Sequence, residues 1–127
     1  MTNKLRVTYD SEALAVLVYE FPFSNKKETE DTIRRRLQRK KLGDFDLERV
    51  SLLRRMKDQL QGEIGKQEQS IYYRGPLDMK TRLEKYVQLN DFDIPKLKMD
   101  MCAAYPDIPA EEVDWFVPFA VSIYHLL

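Results

Sequence analysis

"DLERVSLLRRMKDQLQGEIGKQEQSI", residues 46–71, carries the pattern that decides the fold. Val50, Leu53, Leu60, Ile64 and Ile71 fall on a three-four repeat, with Lys57 and Gln67 at the remaining seam positions. Apolar residues at that spacing line one face of an α-helix, so the stretch reads as one arm of a helical hairpin or as a coiled-coil seam. Asp44 or Asp46 opens it. Gly62 and Gly65 each cost about 1 kcal/mol in a helix interior, which predicts a break or bend near 62–66.

Working back toward the N-terminus, "TIRRRLQRKK" at 32–41 sits within a charged helix predicted over 27–41. Its apolar stripe is thin, Ile33 and Leu37 one turn apart. Ser24 or Asn25 caps its start and Gly43 ends it. At 100° per residue Arg35 and Arg39 point away from the stripe, Arg34 and Arg36 lie to either side, and Lys40 and Lys41 flank it. Glu30 and Asp31 stand four residues before Arg34 and Arg35, the favoured order for helical ion pairs. Arg36, Arg39, Lys40 and Lys41 are left as uncompensated charge. Still nearer the start, Leu5, Val7 and Tyr9 alternate with polar residues as in a short strand, whereas "SEALAVLVYEF" (11–21) fits a helix capped by Ser11 and stopped by Pro22. A second hairpin strand is the alternative there.

Toward the C-terminus, "RGP" (74–76) punctuates the chain. Met79, Leu83, Tyr86 and Val87 then recur at the spacing of a packed helix. "DIP" occurs twice, at 93–95 and 107–109, and an aspartate followed by proline in the first turn is a helix start. The helix between carries Leu97, Met101, Cys102 and Tyr105 inward. The final helix is apolar nearly all round, contains Pro118, and is expected at the centre of the fold. Glu111 and Glu112 complement its dipole.

These elements predict an all-α fold of five or six helices around a buried C-terminal helix, with a short N-terminal strand or hairpin as a further possibility. The chain of 127 residues is expected to be a single domain, with a basic helical hairpin at about 26–73 and a compact helical core at 76–127. Lys and Arg number 21, Asp and Glu 21, so no whole-protein field favours a polyanion, and any electrostatic partner must meet a local patch. Residues 26–58 hold twelve basic and seven acidic groups, and residues 92–127 two basic and six acidic, so the two regions attract one another, within a molecule or between two.

A lone cysteine, Cys102, and an N-terminus without a secretory pattern imply the reducing cytosol. The apolar run at 115–127 falls short of the ~20 residues of a membrane span, so no membrane partner is expected. One Cys and one His build no zinc site, and no calcium loop, phosphate-cradling loop or dinucleotide fingerprint is present; no metal and no cofactor are expected. Ser122 and His125 share a helix face but nothing in their spacing makes a triad, and the chain reads as a non-enzyme.

The candidate partner- or nucleic-acid-binding residues are Arg34, Arg35, Arg36, Arg39, Lys40, Lys41, Arg54 and Arg55 on the hairpin, with Tyr72, Tyr73 and Arg74 beyond it. Arginine pairs with carboxylates as readily as with phosphates. Tyrosine beside arginine offers base stacking with a phosphate contact, or simply ring burial against a core. The GxxG at Gly62–Gly65 has the spacing of a backbone-clamping loop, but Glu63 would repel phosphate. The reading is an adaptor or regulator acting through protein contacts, with a nucleic-acid-binding accessory protein as the alternative. Because the stripes on 26–73 are narrow, they are expected to be covered by a second chain, most simply in a homodimer.

Overall fold

Thr8 starts the first helix. Its hydroxyl accepts the Ser11 amide at 3.0 Å while the Ser11 hydroxyl accepts the Thr8 amide at 2.8 Å, a reciprocal capping box. The computed structural model describes residues 7–75 and 91–125, and it is all-α. Its helices are α1 (Tyr9–Leu17), α2 (Lys26–Lys40), α3 (Leu47–Gly65), α4 (Ile94–Ala104) and α5 (Ala110–Tyr124), with a 3-10 turn at Gln67–Gln69. The ambiguous N-terminal stretch is therefore helical over Tyr9–Leu17, ending well before Pro22. Ser11 is the third residue of that helix and not its cap. Tyr9 lies inside it, no strand exists among the described residues, and Leu5 lies outside them.

Asn25 caps α2, its side-chain oxygen accepting the amides of Lys27 and Glu28 at 2.9 and 3.2 Å. Lys41 ends that helix, not Gly43. Lys41 adopts the left-handed conformation (φ 54°), and the Leu42 amide reaches back to the Leu37 carbonyl at 3.0 Å. This is the six-to-one bond of a Schellman ending. Asp46 caps α3 through the Glu48 and Arg49 amides. The helix continues past Gly62 and stops at Gly65, within the expected break. Asp93 caps α4 as the sequence implies, but Asp107 does not cap α5, whose N-cap is Pro109. There the Ile108 amide closes a turn onto Tyr105, and the Pro109 carbonyl takes the Glu112 amide.

The chain divides into two compact units, residues 1–57 and 58–127, with the boundary inside α3. In the first, α1 packs on α2. Ala13, Leu14, Leu17, Val18, Ile33, Leu37, Val50, Leu53 and Met56 are buried there. In the second, α4 packs on α5, and Leu60, Ile64, Leu97, Met101, Ile108, Val113, Phe116, Val117, Ala120, Val121 and Tyr124 are buried. Within that unit α5 supplies more buried apolar side chains than any other described element and runs through Pro118 to Tyr124. The seam on α3 is buried at Val50, Leu53, Lys57, Leu60 and Ile64, but Ile71 is 64% exposed because the helix has already ended. The stripes expected to await a second chain are thus covered within this one. The helix expected around Met79, Leu83, Tyr86 and Val87 lies outside the described residues.

A lysine in the left-handed region pays a Cβ clash of about 1–2 kcal/mol that glycine avoids, against about 0.4–1 kcal/mol for glycine's freer unfolded chain. Lys41→Gly is therefore expected to stabilise the first unit by about 0.5–1 kcal/mol, while Lys41→Val destabilises it. Urea unfolding should show the midpoint rising for the first variant and falling for the second at unchanged slope.

Candidate functional site

In the first unit the basic residues meet three buried carboxylates of α1 and its C-terminal turn. Asp10 takes the Arg49 guanidinium on both oxygens, with Nε to Oδ1 at 2.9 Å. Glu12 accepts Arg36 Nε at 3.0 Å. Glu20 accepts Arg54 Nε and Nη2 at 2.7 and 3.0 Å, with their side chains only 3% and 11% exposed. Lys57, buried along its whole length, donates Nζ to the Glu20 carbonyl at 2.8 Å and lies 3.8 Å from its carboxylate. Glu30 of α2 reaches Arg54 at 3.6 Å. Among the described residues no buried side-chain polar atom is left without a partner. Burial pushes the Glu20 carboxyl upward, but the hydrogen bonds and charge of Arg54, helped by Thr29 and Lys57, outweigh it and hold the group below its ordinary value.

This framework redistributes the sequence-predicted site. Arg36, expected to be uncompensated, is paired to Glu12. Arg54 is enclosed. Arg34 bonds Asp31 at 3.2 Å, one position from the expected pairing, and stands 4.4 Å over the Phe45 ring. Arg35 is exposed and touches Thr32 Oγ1 at 3.2 Å. Arg39, Lys40 and Lys41 are exposed, with no ion pair among the described residues. Arg55 is exposed and engaged in an interaction of its own. What the structure brings together in the open is therefore Arg35, Arg39, Lys40 and Lys41, on the last two turns and ending of α2.

The aromatic pair of the second unit is turned inward. Tyr72 and Tyr73 are buried. Tyr73 forms an isolated antiparallel bridge with Phe92 and meets its ring edge-on at 6.1 Å. Tyr72 donates its hydroxyl to Asp100 at 2.6 Å, with Lys96 5.8 Å from the ring. Burial, then the hydrogen bond to Asp100 and its negative charge, pushes the Tyr72 hydroxyl up to about 12. Arg74 donates to the Ile71 and Tyr73 carbonyls and lies 3.6 Å from Asp93. At the GxxG, Glu63 bonds Lys66 and Ser70 and the glycines sit in the end of α3. Ser122 donates to the Phe119 carbonyl at 2.6 Å, and His125 Nδ1 lies 2.8 Å from the Val121 carbonyl oxygen, each on its own helix backbone.

Sequence reasoning missed the connection between α1 and α2. There Phe23 is 89% exposed, its ring stacked on Phe21 at 6.0 Å, and Tyr19 is exposed beside them in the sequence. The turn is fixed: the Phe21 amide donates to Ser24 Oγ, the Ser24 amide to the Phe21 carbonyl, both at 2.9 Å, and Glu20 is held as above. The aromatic content of "YEFPF" (19–23) is the signal for it in the sequence.

Among the described residues no cluster of ligating side chains could hold a metal ion, and no helix is long and apolar enough to cross a membrane. No protein-family model matches the chain, and no curated protein or solved structure is similar to it.

Arg54→Met removes both guanidinium hydrogen bonds of the buried Glu20 carboxylate and leaves it Lys57 and Thr29 alone, an expected loss of up to about 3–5 kcal/mol, and adding Glu20→Met should recover part of it. Urea unfolding of the single and double variants measures both. Because the Glu20 carboxyl is lowered in the folded state, its contribution is complete above the unfolded value of 4.5 and is lost as pH falls through the lower folded value. A Glu20→Gln variant should lose that part of the acid-side slope. Tyr72 has the opposite sense: its raised value makes its contribution complete below the ordinary 10.0 and lost as pH climbs toward about 12. Ultraviolet titration should show a late-ionising component toward about 12 that Tyr72→Phe removes.

Proposed function

We propose that the chain is a small non-enzymatic adaptor or regulator of the reducing cytosol that works through protein contacts, itself included. Phe23 carries this reading. An aromatic ring left almost wholly in water on a hydrogen-bonded turn, stacked on Phe21 yet 89% exposed, contributes little packing within its unit, and exposed ordered aromatics are the side chains that anchor protein interfaces. Being already ordered, the turn loses little entropy on binding. The placement of Ser122 and His125, each bound to its own helix backbone, supports a non-enzymatic role.

The alternative is an accessory protein that binds nucleic acid without sequence preference through Arg35, Arg39, Lys40 and Lys41. The solvent-facing position of these four on α2 favours it. Two features weigh against it. Arg36 and Arg54 are engaged by carboxylates, and Tyr72 and Tyr73, the bases' stacking candidates, are buried.

The two readings separate in a titration with generic double- and single-stranded nucleic acid over a salt series. The native chain and a variant with Arg35, Arg39, Lys40 and Lys41 all changed to glutamine are compared. The expected result is negligible binding by both, even at low salt. Binding by the native chain that falls steeply with salt and disappears in the variant would replace the protein-contact reading with the nucleic-acid one.

A further inference from the structure

Two surfaces in different units complement one another. The first is the Phe21–Phe23 turn with Lys26 and Lys27, the first two residues of α2. A helix N-terminus repels cations and favours carboxylates, so two lysines there work against α2 itself. Both are exposed, and no ion pair to either exists among the described residues. Glu28 in the same turn and the Asn25 cap offset this only in part, since two lysines face one glutamate there.

The second surface is an open groove of about 550 Å³ between α4 and α5. Met99, Cys102 and Ala110 supply its apolar lining, and Lys98, Glu111 and Asp114 its charges. Lys98 is taken by Asp114 at 2.9 Å, which leaves Glu111 to give the groove a negative edge. Met99 is 72% exposed, large and flexible, the kind of side chain that reshapes around an incoming ring.

Charge points to the source of the occupant. Residues 1–57 carry fourteen basic and nine acidic groups, net +5, and residues 58–127 carry seven and twelve, net −5. The whole chain is neutral, so two copies feel no net repulsion while opposite units attract. We propose that the Phe23 turn of one copy docks in the α4–α5 groove of a second copy, with Lys26 and Lys27 against Glu111. This deepens the protein-contact reading and rests on it. The buried stripes of α2 and α3 take no part. A contact of this size is smaller than a standard stable interface, so the association is weak and concentration-dependent.

The test is the solution mass of the full chain by sedimentation, over a concentration series, with the native protein and three variants. The native mass should rise with concentration. Phe23→Ser should weaken association about tenfold or more, as loss of an aromatic anchor does. Lys26→Glu/Lys27→Glu should dissociate the protein while raising its melting temperature, because carboxylates suit the start of α2. Loss of association together with loss of folding cannot mimic that pair of results. Glu111→Lys should dissociate it too. Mixing the two charge variants should restore association, since the native turn of the Glu111→Lys chain then meets the native groove of the other chain, and the acidic turn meets a groove of reversed charge. In the native chain alone, the rate at which a thiol reagent modifies Cys102 should fall as concentration rises. A mass that stays monomeric throughout, Cys102 protection independent of concentration, or charge variants that associate like the native chain would each overturn the proposal. Any of these without nucleic-acid binding leaves the protein-contact reading standing with another partner; nucleic-acid binding at the glutamine-sensitive site removes that reading as well.

Discussion

Glu20 sits where α1 hands the chain to α2, and it is held by groups from α3: two bonds from the Arg54 guanidinium to its carboxylate and one from Lys57 to its carbonyl. A carboxylate removed from water is tolerated only when its charge and lone pairs are answered. Moving α3 off α1 and the turn after it would leave Asp10 and Glu20 without the Arg49 and Arg54 guanidinium groups that answer them, while Glu12 is answered from α2 by Arg36. The ion pairs therefore act less as a large net source of stability than as a constraint on arrangement, since misplacing them is costly even where forming them is nearly neutral. That constraint suits a unit whose α2 offers a stripe only two residues wide, Ile33 and Leu37, too little apolar surface to specify a register alone.

The same network decides what the surface can do. A run of arginines and lysines invites a polyanion reading, yet Arg36, Arg49, Arg54 and Lys57 are spent on α1 and on the turn after it. Part of the basic character of the region is thus a structural counterweight to the acids of α1 and its turn, and what remains exposed is the start, outer side and end of α2, with Arg55 on α3. Glu20 is held at the head of a turn closed by the Phe21–Ser24 hydrogen bonds, so Phe23 is exposed on a hydrogen-bonded turn. Core and surface are linked through one residue.

Much of the fold was legible because helices announce themselves locally. The cap at Asn25, the cap at Asp46, the Asp93-Ile94-Pro95 start and the α3 seam from Val50 to Ile64 each depend on residues within a turn or two of one another. What failed were competitions that local pattern cannot settle. Lys41, not Gly43, took the left-handed ending because Leu37 and Leu42 place the Schellman bond there. The second DIP lost its cap to a turn that closes on Tyr105. The site was less legible still. Glu12 and Arg36 are 24 residues apart and Glu20 and Arg54 are 34 apart, so no helical spacing reveals either pair. Reading i,i+4 partners alone assigned Glu30 and Asp31 to Arg34 and Arg35, and left Arg36 free when it was the one bound by a buried acid.

Segregated charge in a neutral chain has a different meaning from net basicity. A basic protein attracts phosphate from any direction and at every orientation. Here a +5 unit is covalently joined to a −5 unit, so at distances beyond the ~8 Å screening length of physiological salt the two fields cancel, and attraction acts only where complementary faces approach closely. Such a distribution gives little long-range steering toward a polyanion and much orientation dependence at contact. The lysines that begin α2 belong to that short-range regime. They weaken the helix they start, they stand three and four residues beyond an exposed phenyl ring, and their attraction reaches only a partner already placed against it.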